Sequence, residues 1–175
     1  MDVHRPVAGD VIDLILADHQ LFESLLRKLR DTSSDRAAVR DALSNVLVAH
    51  AEAEEKYVYP TLRKRSAVGA HEAEHGVEEH AEGHEALLKV LELKGTDTKA
   101  FDDAVEELSA TINHHLVEEE LTILNPAREE VGARARNELG VEFARERNRQ
   151  IDANCGTLTN VRALVARARR EGDLD

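Results

Sequence analysis

Seven side chains in this sequence have the types and spacing to form a metal cage: His19, His50, Glu54, His80, His84, His115 and Glu119. His50-x3-Glu54, His80-x3-His84 and His115-x3-Glu119 each place two of them four residues apart, on one helix face and a turn from each other. Imidazole nitrogen and carboxylate oxygen without thiolate is a donor set for iron, manganese or zinc rather than calcium or magnesium. Zinc normally takes four ligands per ion and would leave some of the seven unused. A lone inward histidine is ordinarily a core residue with a local hydrogen bond. Seven polar groups on converging stripes are different. Each left unsatisfied would cost about 1–3 kcal/mol, and together they would exceed the ~5–15 kcal/mol stability of a typical domain.

The spacing also repeats. His19 to His50 and His84 to His115 are both 31 residues, and Glu54 and Glu119 match at the same offset of 65. Each half therefore offers one His from a first helix and H-x3-E from a second, followed by a proline, Pro60 or Pro126. His80 is extra, its counterpart in the first half being Ile15.

These groups need helices to carry them, and apolar residues recurring at three and four predict four. The first runs from about Val11 to Arg30, capped by Asp10, with Ile12, Ile15, Phe22, Leu26 and Leu29 on its stripe. The second follows Thr32-Ser33-Ser34-Asp35 and reaches about Arg65, with Pro60 bending or ending it locally. The third spans roughly Glu72 to Lys94, where Gly95 is a stop, and the fourth runs from after Thr98 to about Leu124. Short connections make sequential helices antiparallel neighbours. The expected fold is all-α: an antiparallel up-down-up-down four-helix bundle over 10–126. A C-terminal helical extension over 127–175 would pack on the bundle or on a partner, its apolar positions being Leu158, Val161, Leu164 and Val165.

Composition agrees with helices: of 175 residues only three are Phe, two Tyr, three Pro and none Trp. Lys plus Arg number 23 against 35 Asp plus Glu, a net charge of −12 that repels phosphate backbones and anionic lipid, so neither nucleic acid nor membrane is expected as a partner. The arginines from Arg145 onward are interrupted by acids and read as a solvated helix face. The sequence has no apolar run approaching the ~20 residues of a membrane span. With one cysteine, Cys155, and no apolar leader between Met1 and Asp10, a reducing cytoplasm is the expected setting. Cys155 is expected to be a small buried side chain.

The set His19, His50-x3-Glu54, His80-x3-His84 and His115-x3-Glu119 resembles the hemerythrin pattern of HHE-type cation-binding proteins, in ligand order and spacing, over about residues 10–126. Glu119 four residues beyond His115 is similar to the bacterial members, where blood hemerythrins have an Asp one residue further on. The resemblance implies two irons bridged by Glu54 and Glu119 and by an oxo or hydroxo group. Five imidazoles and these bridges then leave one position of two octahedral ions open. It implies dioxygen, peroxide or nitric oxide as ligands, with storage, scavenging or sensing as the role. Two alternatives stay open: a diiron enzyme consuming hydrogen peroxide or nitric oxide, and a metal-stabilised interaction module. The chain is expected to be a monomer or homodimer.

Around the ligands, Tyr57 lies seven residues after His50 on the same stripe, with ordinary packing as its default role and a hydrogen bond to a ligand or phenolate coordination as the alternative, whereas Tyr59 is expected to face away and pack at the proline bend. Gly83 either admits a close neighbour or is merely tolerated. His71 and His75 are out of phase with His80 and His84 and read as surface residues, and His4 as exposed.

Overall fold

The computed structural model describes residues 3–174, so Met1, Asp2 and Asp175 lie outside it. The described residues are helical, with no strand among them. Helix α1 is Val11–Arg30, started by the Asp10 carboxylate accepting from the Ile12 amide and ended by Arg27, Lys28 and Arg30, which suit the negative end of the helix dipole. Helix α2 covers 36–64. Asp35 caps it by accepting from the Ala38 amide, and it consists of Arg36–Ala53, a π-helical turn Glu54–Val58 and Tyr59–Lys64. Helix α3 is Ala70–Glu92. Helix α4 covers 99–130 in the same three-part form, with Lys99–Glu119, a π turn Glu120–Leu124 and Asn125–Glu130. Helices α5, Ala133–Asp152, and α6, Leu158–Glu171, make up the extension.

Neither Pro60 nor Pro126 ends its helix. A proline ring collides with the carbonyl one α-turn back and has no amide to donate. Each chain segment absorbs this by widening one turn just before the proline, the Tyr59 amide reaching back to the Glu54 carbonyl and the Asn125 amide to the Glu120 carbonyl.

The apolar stripes form two clusters with the His/Glu layer between them. One gathers Phe22, Leu26, Leu43, Leu87, Phe101 and Leu108, and the other Ile12, Ile15, Val58, Leu62, Ile123 and Leu124. Along α1 and α3 the chain passes from the second cluster through the histidines to the first, and along α2 and α4 it passes the other way. Both clusters also take residues from the extension: Phe143 and Leu139 join one, Ile151, Val161 and Leu164 the other. Helix α5 packs on α2 and α1, and α6 on α3. Gly156 makes the α5–α6 turn possible, since a Cβ there would fall inside the backbone of Ser44 and Asn45. Next to it Cys155 is buried, its thiol pushed up to about 12 by burial, so it is a packing residue.

Candidate metal centre

All seven predicted residues are buried in the layer between the clusters. Six of them converge in two groups, His19 with His50 and Glu119, and Glu54 with His80 and His115, the ligand atoms of each group lying within 4.8 Å of one another. Both carboxylates touch imidazoles of both groups. Glu54 Oε2 is 3.1 Å from His50 Nε2 and 3.2 Å from His80 Nε2. Glu119 Oε2 is 3.2 Å from His19 Nε2 and 3.9 Å from His115 Nε2. The closer pairs stand at hydrogen-bond distance but out of hydrogen-bond alignment. His19, His50, His84 and His115 Nε2, both Glu54 oxygens and Glu119 Oε2 are buried without a hydrogen-bond partner. Two ligands at right angles on a metal with bonds of about 2.1 Å stand about 3 Å apart, so the donor set has the spacing a shared cation requires. His84 belongs to neither group. It is buried beside them and, with Phe22, Leu47 and Ile112, lines a cavity of about 20 Å³.

The opposite nitrogens of four histidines are held by a ring of carboxylates that the sequence reading missed. Asp18 on α1 accepts from His50 Nδ1 on α2 at 3.1 Å, and Glu55 on α2 from His80 on α3 at 3.0 Å. Glu79 on α3 accepts from His115 on α4 at 3.0 Å, and Glu120 on α4 from His19 on α1 at 2.8 Å. A carboxylate only accepts, so each Nδ1 carries a hydrogen, and each Nε2, once deprotonated, turns its lone pair toward the centre. Each acid is the immediate sequence neighbour of a ligand, about 100° around its helix, and so points across to the next helix rather than into the cage. An acid flanking every ligand pair was the available signal.

Charge explains the titration of these groups. Burial by itself would lower His50 and His80. The charge of Glu54 with the hydrogen bond to Asp18 raises His50 to about 9, and Glu54 with Glu55 raises His80 to about 10. Glu54 is held well below the usual carboxylate range, its burial outweighed by His50 and His80. His84 has no such partner, and burial followed by the nearby His80 charge brings it down to about 4. Burial would raise Asp18, but hydrogen bonds from His50 and Arg147 hold it below its ordinary value.

The structure overturns the expectation that Tyr59 faces away. Tyr57 is half-buried, with the Lys56 ammonium 5.2 Å from its ring centroid. Tyr59 is the residue at the centre: its hydroxyl donates to Glu119 Oε1 at 2.9 Å and lies 3.4 Å from His80 Nε2, and its ring stacks on His80. The π turn is the cause. In a regular α-helix a residue five positions on is about 140° away from its start, whereas here Tyr59 closes a wide turn directly on Glu54. Burial, then the charges of Glu119 and Glu54, push its phenol well above the ordinary value, so it keeps its proton. Gly76 provides the seat, since a Cβ there would press on the Tyr59 ring at 3.0–3.1 Å. Gly83 has no such role, for a Cβ there would meet nothing within 4 Å. His71, His75 and His4 are exposed.

An all-helical fold with buried, unpartnered His and Glu donors between its helices defines a cation-binding bundle. Residues 10–126 match the hemerythrin HHE cation binding domain, and the chain belongs to that family. A DNA nickase of Nostoc sp. is 27% identical over 137 residues, which are 77% of this chain and 38% of that protein. The chain thus spans well under half the length of that relative. No solved structure matches the chain. Among the described residues no helix is long and apolar enough to cross a membrane.

Proposed function

We propose that this chain is a non-haem diiron protein that binds dioxygen or a related small molecule such as nitric oxide. His19 and His50 would hold one iron and His80, His84 and His115 the other, with Glu54 and Glu119 shared between them and an oxo or hydroxo bridge. The observation that carries the reading is the position of the two carboxylates, each in contact with imidazoles of both groups, while those carboxylate oxygens and three of the four imidazole nitrogens have no hydrogen-bond partner. Bound iron supplies one-electron redox chemistry and an open position. The chain supplies the rest: the carboxylate ring fixes four imidazoles in the ligand-ready tautomer, two apolar clusters exclude water, and the cavity beside His84 has room for little more than a water-sized guest. An up-down-up-down course of α1–α4 belongs to this reading, supported by the alternating order in which they cross the two clusters.

A second reading, consumption of peroxide or nitric oxide at the same centre, is favoured by Tyr59, a protonated phenol held against Glu119. Purified protein is expected to contain about two irons per chain, with a near-ultraviolet charge-transfer band. One zinc or no metal from iron-supplied cells would refute the diiron reading. Stopped-flow mixing then separates the roles: a stable oxy spectrum on adding dioxygen to reduced protein supports carriage, and steady oxygen evolution from peroxide supports the enzyme.

A further inference from the structure

Of the four carboxylates in the ring, Asp18 alone is gripped by an arginine from outside the bundle. Arg147 on α5 donates through Nε to Asp18 Oδ2 and through Nη2 to Asp18 Oδ1, both at 2.6 Å, and its other terminal nitrogen reaches the His4 carbonyl at 3.1 Å. Both partners are shut off from solvent, at 2% and 6% side-chain exposure. One turn earlier on the same helix, Phe143 meets the His50 ring edge-on at 5.7 Å. Helix α5 thus touches this one imidazole twice, once through its ring and once through the acid on its Nδ1. The rest of the ring is held more loosely: Glu120 is half open to solvent, Glu55 has Arg167 only at 3.9 Å, and Glu79 has exposed His75 and His114 beyond hydrogen-bond range.

We propose that Arg147 is a positioning residue of the metal centre, fixing His50 through Asp18, so that helix α5, beyond the family-matched stretch, completes one of its two metal positions. Physically, an Asp that can rotate offers His50 a range of ring orientations. A two-pronged guanidinium fixes the carboxylate plane, and with it the plane of the imidazole and the direction of the Nε2 lone pair. The two metal positions are therefore inequivalent: that of His19 and His50 is stiffened by α5, that of His80 and His115 is not.

The inference rests on the reading of His50 as a ligand. Metal-depleted protein spanning residues 1–175 is titrated with cobalt(II), whose visible bands report each site, for the wild type, Arg147→Met, Arg147→Lys, Asp18→Asn, the Asp18→Asn/Arg147→Met pair, and Val161→Ala as a control for loss of packing in the extension. Arg147→Met is expected to weaken one of the two ions by about 10–100-fold and change its bands while sparing the other. Arg147→Lys recovers part of the loss, since an ammonium keeps the charge without the fork. Adding Arg147→Met to Asp18→Asn has no further effect on affinity, because the arginine acts through the acid. Equal weakening of both ions, no weakening, or the behaviour of Val161→Ala overturns the proposal. A second measurement needs no metal: the His50 Nδ1–H resonance, observed by nitrogen-15 histidine labelling, is expected in slow exchange in the wild type and lost in Arg147→Met. If the wild type took up no pair of ions, the metal reading would fail by itself, and persistence of that resonance in Arg147→Met would separately overturn the role of Arg147.

Discussion

Raising the pH is expected to destabilise the metal-free protein and to strengthen its hold on metal. His50 goes from an ordinary 6.5 to about 9 in the fold, and His80 from 6.5 to about 10. A folded state that holds a proton more tightly than the unfolded chain has the full benefit below the unfolded value and loses it as pH climbs through the folded one. For His50 that window is pH 6.5 to 9, worth on the order of 3 kcal/mol at about 1.4 kcal/mol per pH unit. His80 leans on the same Glu54, so the two contributions overlap and the combined loss stays near 3–5 kcal/mol, a large part of a domain's total. His84 acts in the opposite sense: lowered to about 4, it favours folding above pH 6.5 and withdraws that support as pH falls toward 4. Metal-free stability therefore peaks near pH 6.5. Metal requires unprotonated imidazoles, so loading at pH 7.5 is expected to release about two protons and the stabilisation by metal to grow with pH. Urea unfolding with chelator at pH 5.5, 6.5, 7.5 and 9, repeated with metal, measures both trends. A chelated midpoint that stays level or rises between pH 6.5 and 9 would refute the charge pairing derived from Glu54, Asp18 and Glu55.

Three further outcomes are expected. Tyr59→Phe leaves Glu119 Oε1 without its donor, costing about 1.5–3 kcal/mol of metal-free stability by denaturant midpoint, and Gly76→Ala, which crowds the same ring, lowers that midpoint as well; a Tyr57→Phe variant with the larger effect would reject Tyr59 as the tyrosine at the centre. Glu119→Ala abolishes metal uptake together with the metal-dependent stabilisation read as a rise in melting temperature, a stabilisation of about 2.7 kcal/mol at a hundredfold excess over Kd. Ion counts and melts unchanged from wild type would reject Glu119 as a ligand. Gly156→Ala forces the α5–α6 turn off Ser44 and Asn45 and costs about 3 kcal/mol as overpacking, read by thermal melting, with hydrogen exchange rising first in α6.

Helical periodicity alone put all seven donor side chains in one buried layer, because the period that lines up Ile12, Ile15 and Phe22 also lines up His19, and the same holds on the other three helices. Composition gave the all-helical class, and Asp10, Asp35 and Thr98 marked helix starts to within a residue. Tertiary structure decided everything that depended on departing from that period or on crossing between helices. The wide turn before Pro60 is a response to local strain that no periodic count registers, and it exchanges Tyr57 for Tyr59 at the centre. Asp18, Glu55, Glu79 and Glu120 look like surface acids in a chain with 35 of them. What sets them apart is a partner on the neighbouring helix, 25 to 101 residues away in sequence. Arg147 sits where the apolar pattern fades, and its hold on Asp18 spans 129 residues. A ligand pair one turn apart is a local fact of the backbone, whereas the shell that orients it exists only once separate helices have packed.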